Sequence, residues 1–159
     1  MQHAAPLLIG LGNHLRSDDG AGIRLAEAIE AEASGIEVVQ CHQLTPELAE
    51  PISRAKAVLF MDAWVAEAGK TESAAHRSAL LQPQLEPLEA AAGGDPSGHD
   101  LTPARLLALS TALYGACPPA WQLFIPGEQW QVGDELSART AAACRDALPL
   151  VLAWGARHA

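Results

Sequence analysis

The feature that most constrains this chain is a glycine-containing segment near its start, residues 7–22, which reads LLIGLGNHLRSDDGAG. The apolar run at its beginning fits a buried strand. Gly10 and Gly12 follow, and glycine permits a tight turn with close approach of other backbone. Two adjacent carboxylates, Asp18 and Asp19, then precede an amphipathic stretch. The segment therefore predicts a strand, a loop and a helix, with the loop at the sheet edge where α/β proteins bind ligands.

A dinucleotide-binding loop is the first alternative for this segment, and the residues argue against it. The G-x-G-x-x-G pattern requires a third glycine where the chain has Leu15. Asp18 and Asp19 would repel a phosphate at a helix start, where the backbone normally attracts one. The next predicted strand closes on Gln40 and Cys41, so it lacks the acidic residue that would hold a ribose. We expect the loop to prefer something positive, and a metal ion is the simplest candidate.

Length, composition and charge restrict the class of protein. The chain has 159 residues, of which 49% are hydrophobic, as expected for one folded domain spanning residues 1–159. Its net charge of -9 argues against nucleic acid or an anionic membrane as a partner. No apolar run approaches the roughly 18 residues of a membrane span, and the first residues lack the basic start of a signal peptide. We expect a cytoplasmic protein, and a monomer because no heptad pattern is present.

The hydrophobic pattern alternates between strands and helices along the chain. Strands are predicted at residues 7–12, 36–41, 57–62, 76–82 and 120–126. Helices are predicted at residues 19–33, from 45 onward, at 102–114 and at 135–154. Residues 83–98 are rich in Pro, Gly, Ala and Glu and predict a long loop. The fold class predicted is an α/β domain with a twisted, mostly parallel sheet of about five strands and helices on both faces.

Three side chains with metal-binding chemistry fall on one edge of this predicted sheet. Asp19 follows the first strand, Asp62 ends the third, and His99 lies in the long loop just before a helix. Two carboxylates and one imidazole make a mixed oxygen and nitrogen site, and imidazole suits nickel, zinc, copper and iron. Three protein ligands leave coordination positions open, as catalytic metal sites do.

Each of these residues also has an ordinary structural interpretation. Asp19 suits a helix start, where the helix dipole favours a carboxylate. Asp62 suits the end of a strand as a cap for the following turn, and His99 suits an exposed loop. Asp18 is expected to be structural, with its carboxylate accepting hydrogen bonds from loop amides. The spacing alone therefore leaves open both interpretations, a metal site and ordinary structural roles.

The three cysteines, Cys41, Cys117 and Cys144, are far apart in the sequence and odd in number. Because no C-x-x-C pair exists, neither a structural zinc site nor a disulfide framework is indicated. Cys117 and Cys144 are expected to be ordinary, partly buried thiols. Cys41 and His42 form a rival metal pair at the end of the second strand, without a second pair nearby.

Three motifs, taken in order, resemble those of the hydrogenase maturation proteases: GLGNHLRSDDGAG after the first strand, FMDA at the end of the third, and SGHDLTPARLL before a helix. The segment QLTPEL, residues 43–48, is also similar to a stretch in some members. The resemblance extends over nearly the whole chain. It implies an endopeptidase that trims the C-terminus of the large-subunit precursor of a nickel-iron hydrogenase.

The resemblance also implies roles for particular residues. Asp19, Asp62 and His99 would be catalytic and would contact nickel that the substrate carries, so the free enzyme need not bind a metal tightly. Some members have glutamate at position 19 and a glycine-rich segment in place of residues 41–44, which leaves open which large subunit is recognised.

The peptidase type is left open by the sequence, between metal-dependent and aspartic-type chemistry. Either a metal-activated water or a carboxylate acting as general base would serve for hydrolysis. The chain offers no serine-histidine-aspartate pattern and no H-E-x-x-H motif, which argues against common serine and zinc protease chemistry. The alternative function is a non-catalytic nickel-sensing or escort protein for the same precursor, because it would use the same three residues.

Overall fold

The computed structural model describes residues 4–65, 82–92 and 101–159. Within these ranges the strands are β1 (Leu7–Leu11), β2 (Glu37–Cys41), β3 (Val58–Val65), β4 (Gln84–Leu88) and β5 (Ala120–Gly127). They form one sheet in the order β2-β1-β3-β5-β4. Strands β1, β2, β3 and β5 run parallel to one another, whereas β4 is antiparallel to β5. The predicted fold class, a mostly parallel α/β sheet of about five strands, is confirmed.

Helices cover both faces of this sheet. They are α1 (Ala21–Glu32), α2 (Ala49–Arg54), α3 (Pro103–Tyr114) and α4 (Ala138–His158). The helices α1 and α4 pack together on one face, and α2 and α3 pack together on the other. Within the described ranges, no helix has the length and apolar character needed to span a membrane.

The apolar run of β1 is explained by burial on both of its faces. Leu8 packs toward α1 and α4, while Leu7 and Ile9 pack toward α2 and α3, and all three are fully buried. Gly10 interrupts the run because α1 lies directly against it. A Cβ atom at Gly10 would come within 2.7 Å of the Ala26 Cβ.

The third strand is longer than predicted. The prediction ended it at Asp62, but β3 continues to Val65 because its pairing with β5 continues from Asp62 opposite Phe124 to Val65 opposite Gly127. Asp62 therefore lies within a paired strand. This pairing is non-local, so the polarity of residue 62 alone was a misleading sign of the strand end.

The prediction of a long loop at residues 83–98 was wrong where β4 lies. The sequence of this strand, QLEPL, contains proline and glutamate, which are uncommon in strands, so its pattern did not predict one. An edge strand tolerates proline because its outer side needs no ladder hydrogen bond. The strand predicted at residues 76–82 lies outside the described residues, apart from Gln82, which is not in a strand.

The helix starts also differ from the predicted ones. Ser17–Gly20 forms a short 3₁₀ turn, so α1 begins at Ala21 rather than at residue 19. The last helix begins at Ala138, because Ser137 is its N-cap and accepts a hydrogen bond from the Thr140 N–H at 3.3 Å.

The three cysteines are free thiols. Cys117 is exposed, so the prediction of a partly buried thiol is wrong there. Cys144 is partly buried, as predicted, and its thiol pKa is raised to about 11 by burial and by the negative charge of Asp18, with Arg145 acting in the opposite direction.

Candidate functional site

The chain reverses its direction of travel across the sheet at β1. One crossover leads from β1 to its neighbour β2, and the next leads back across to β3 on the other side of β1. The carboxyl ends of β1 and β3 therefore form the topological switch point, where sheets of this kind bind ligands. Asp19 follows β1, and Asp62 lies in the second half of β3. The fold thus brings these two predicted site residues to one edge.

Backbone contacts hold the loop after β1 in place. Gly12 has a φ of +143°, a conformation that favours glycine, and its N–H donates to the Cys41 carbonyl at 3.1 Å. The Asn13 N–H donates to both the carbonyl oxygen of Asp19 at 3.2 Å and its carboxylate Oδ2 at 3.1 Å. The loop therefore fixes one oxygen of Asp19 and leaves the partly exposed carboxylate able to bind a further group.

The Asp62 carboxyl group is strongly perturbed. Burial, together with the negative charge of Asp19, raises its pKa to about 7, while the Ala63 N–H acts in the opposite direction. Two residues before it, Phe60 packs toward α2 and α3, so the alternation of the strand directs Asp62 to the same side. The group can gain or lose a proton near neutral pH, and its coupling to Asp19 makes the pair attractive to a cation.

Asp18 has a different role from its neighbour, in agreement with the structural role predicted for it. Its side chain is completely buried and accepts hydrogen bonds from the backbone N–H groups of Glu128, Gln129 and Ser137 and from the Ser137 hydroxyl. Burial alone would raise the pKa of Asp18, but these four hydrogen bonds lower it below its ordinary value. Asp18 is therefore an ionised anchor beneath the loop.

The segment after β5 completes the support of the site, and the sequence analysis missed it. The Ser17 N–H donates to the Gly133 carbonyl at 2.9 Å, and the Gly133 N–H donates to the Leu15 carbonyl at 2.9 Å. The Asp18 N–H also donates to the Gln129 carbonyl at 3.0 Å. The residues involved, EQWQVGD, carry no recognised motif that would have revealed this contact.

His99, the third predicted site residue, lies outside the described residues. The helix that follows it, α3, begins at Pro103. Thr102 caps this start by accepting a hydrogen bond from the Arg105 N–H at 3.2 Å. The structure thus places two of the three predicted residues and leaves the role of His99 a prediction.

The rival pair, Cys41 and His42, lies on the neighbouring strand end. The Cys41 pKa is raised by burial and by the negative charge of Asp62, so its thiol stays protonated and is a poor metal ligand. The Nδ1 atom of His42 lies 2.9 Å from the Gly12 carbonyl oxygen. Within the described ranges, no three His, Cys, Asp or Glu side chains are close enough to share a metal ion.

The fold and these residues together define a doubly wound α/β protein with an acidic site at its switch point. Solved structures share this fold. The hydrogenase maturating endopeptidase HybD from E. coli is 20% identical with a TM-score of 0.68, covering 94% of this chain and 91% of that one. The [NiFe] hydrogenase maturation protease HybD from Thermococcus kodakarensis is 18% identical with a TM-score of 0.68, covering 95% and 99%.

A hydrogenase 2 maturation peptidase from a Thaumarchaeota archaeon is also similar, with 20% identity, a TM-score of 0.65 and coverage of 94% of this chain and 97% of that one. No family model matches the chain, and no curated protein matches it in sequence. The chain therefore has the fold of the hydrogenase maturation proteases, the proteins that its motifs resemble.

Proposed function

We propose that this protein is a hydrogenase maturation endopeptidase, which removes a short C-terminal peptide from the nickel-loaded large-subunit precursor of a nickel-iron hydrogenase. The observation that carries the proposal is the coupled pair Asp19 and Asp62 at the switch point of a fold shared with such proteins. The proposal places the enzyme in the cytoplasm as a monomer, with the precursor as its macromolecular partner.

In this proposal, the nickel belongs to the substrate and is contacted by Asp19, Asp62 and His99. The two carboxylates supply oxygen ligands and the histidine an imidazole nitrogen, a mixture that suits nickel. Because a cation favours the charged form of a nearby carboxyl group, nickel would lower the raised pKa of Asp62 and displace its proton. Recognition of the metal would then position the scissile bond and release a proton together.

Two routes for the hydrolysis fit these residues. In the first, the substrate's nickel polarises the scissile carbonyl or activates a water molecule. In the second, a carboxylate accepts a proton from the attacking water as general base, and the nickel contact would keep Asp62 in the ionised form that this role needs. Both routes require Asp62 to be ionisable, so both predict loss of cleavage when it becomes asparagine.

The rigid support of the loop favours a site that acts on a substrate. The buried Asp18 carboxylate ties the loop to the start of α4 through the hydrogen bond from the Ser137 N–H. The Asn13 N–H orients the Asp19 carboxylate. A metal-contacting group that is held in advance loses little freedom when the substrate binds. These contacts support the assignment of Asp19 as a metal-contacting carboxylate and of Asp18 as its structural neighbour.

An intact-mass assay tests the proposal. Purified protein is mixed with nickel-loaded or nickel-free large-subunit precursor from the same organism, beside the variants Asp19→Asn, Asp62→Asn and His99→Ala. Asp146→Asn is the matched control, since Asp146 is an exposed acid on α4. We expect loss of a C-terminal peptide only from the nickel-loaded precursor. The control should cleave it at the normal rate, and each of the three site variants should cleave it at least about a hundredfold more slowly.

The other outcomes of this assay have distinct meanings. Binding of the precursor without any loss of mass would contradict the peptidase and support the escort alternative. Cleavage of both precursor forms would retain the peptidase and remove the nickel requirement. A normal rate with Asp62→Asn would overturn the role given to that residue.

A further inference from the structure

Two histidine side chains at the rim of the site have no role in the proposed hydrolysis. His14 lies in the loop between β1 and Asp19, and His42 directly follows β2. Their ring centroids are 6.3 Å apart, and their ring planes differ by only 23°. Both residues are exposed. The sheet has therefore brought two accessible imidazoles together from loops that are 28 residues apart in the chain (42 minus 14).

The hydrogen bond of His42 determines which of its nitrogen atoms is free. Its Nδ1 lies 2.9 Å from the carbonyl oxygen of Gly12. Because a carbonyl oxygen only accepts, Nδ1 must carry the hydrogen and donate it. In the neutral ring, Nε2 then holds the lone pair. An imidazole whose second nitrogen donates to a backbone carbonyl is the usual arrangement of a histidine that binds a metal.

His14 completes the pair because its ring is uncommitted. Its side chain makes no hydrogen bond within the part of the chain that the structure describes, and its only ring contact there is with His42. A bond between zinc and an imidazole nitrogen is about 2.0–2.1 Å long. Because imidazole lone pairs lie in the ring planes and the two planes are nearly parallel, the exposed His14 side chain must rotate to direct a nitrogen at an ion bound to His42 Nε2.

The charges around the pair favour a cation. His42 contacts Gly12, and the next residue, Asn13, donates to the Asp19 carboxylate, so the pair and the acidic site share one loop. Asp62 lies close enough to the end of β2 to raise the pKa of the Cys41 thiol. Arg16 is the cationic residue of the same loop, but it is exposed and its charge is screened by solvent.

We propose that His14 and His42 form a weak, exchangeable binding site for a divalent late transition metal, of the class that includes nickel and zinc. His42 Nε2 and one nitrogen of His14 bind the ion, and water fills the other positions. The site belongs to the free protein, is separate from the contact of Asp19 and Asp62 with substrate nickel, and does not require that the protein cleaves anything.

Titration of the tag-free, full-length protein with Ni²⁺ alone tests the site. Calorimetry measures the affinity, and NMR of the imidazole groups shows which rings the paramagnetic ion broadens. His42→Asn is the informative variant, because its amide can still donate to the Gly12 carbonyl while Nε2 is lost. His14→Asn removes a ring that makes no hydrogen bond. We expect each variant to weaken Ni²⁺ binding by about tenfold or more.

The matched control is His158→Asn. The Nδ1 of His158 also lies near a backbone carbonyl, that of Trp154 at 2.8 Å, but the residue lies at the end of α4 against aromatic rings. We expect this control to bind Ni²⁺ within about threefold of the unmodified protein. Absence of binding, or unchanged binding in both His14→Asn and His42→Asn, would overturn the proposal. Absence of precursor cleavage by the protein would not contradict this proposal, because Ni²⁺ binding is measured on the free protein.

Discussion

Asp18 and Ser137 are joined by two hydrogen bonds across 119 residues of sequence. The Ser137 N–H donates to Asp18 Oδ1 at 2.7 Å, and its hydroxyl donates to Oδ2 at 2.9 Å. Ser137 is also the N-cap of α4. One buried carboxylate therefore links the loop that carries Asp19 to the start of the last helix.

The first prediction concerns the loss of this anchor. Asp18→Asn places an amide N–H₂ group among donors that need an acceptor, so buried N–H groups lose their partners. We expect it to lower the free energy of unfolding by about 2–4 kcal/mol, measured by urea denaturation. Asp146→Asn, on the exposed side of α4, is expected to change it by less than about 0.5 kcal/mol. Equal effects of the two variants would contradict the anchor role.

The same carboxylate predicts how stability depends on acid pH. Because the pKa of Asp18 is lowered in the folded protein, its stabilising contribution is complete above the unfolded pKa of about 3.9 and is lost as the pH falls through the folded value. The difference in unfolding free energy between the unmodified protein and Asp18→Asn should therefore shrink between about pH 6 and about pH 3. A difference that stays constant over this range would show that folding does not lower the pKa of Asp18.

How far the sequence could reveal the site depended on the range of the contacts involved. The strand-loop-helix order around Asp19 was predictable because β1, its loop and α1 are adjacent in the chain. The partners of Asp18 were not, since they follow β5, 110 to 119 residues away, in a segment without a motif. The true end of β3 was missed for the same reason, because it depends on pairing with β5.

Two glycines with positive φ provide a test of the loop geometry. Gly12 has a φ of +143° and lies against the backbone of Asp19, whereas Gly35 has a φ of +88° with open space around it. Gly35→Ala should cost about 1 kcal/mol of unfolding free energy from backbone strain alone. Gly12→Ala should cost more, about 3 kcal/mol, because its Cβ also collides with the Asp19 carbonyl region. Thermal or urea unfolding of both variants measures the difference, and equal losses would contradict the close contact.

Asp62 is expected to limit stability at alkaline pH. A carboxyl group whose folded pKa is raised contributes stability that is complete below its unfolded pKa and is lost as the pH rises through the folded value, here about 7. Asp62→Asn keeps a neutral group of similar shape. Because Asp62 is partly exposed, solvent screening reduces the effect. At about pH 8 we expect the free energy of unfolding of the variant to exceed that of the unmodified protein by about 1–3 kcal/mol. The two should be nearly equal at about pH 4.

Asp146→Asn is again the control for this comparison, and it should give no difference that depends on pH in this range. An Asp62→Asn variant that is less stable than the unmodified protein at alkaline pH would mean that the ionised carboxylate is stabilised by contacts rather than penalised by burial.

The last prediction isolates the coupling between the two site carboxylates. Burial is the larger cause of the raised pKa of Asp62 and the charge of Asp19 is the second, so Asp19→Asn should lower the Asp62 pKa while leaving it above the ordinary value of 3.8. Carbon-13 NMR of the Asp62 carboxyl group measures the titration directly in both proteins. Glu27→Gln removes an exposed acid on α1 and should leave the Asp62 pKa unchanged. If Asp19→Asn had no more effect than this control, the carboxylates would titrate independently, and a shared contact with one cation would lose its electrostatic basis.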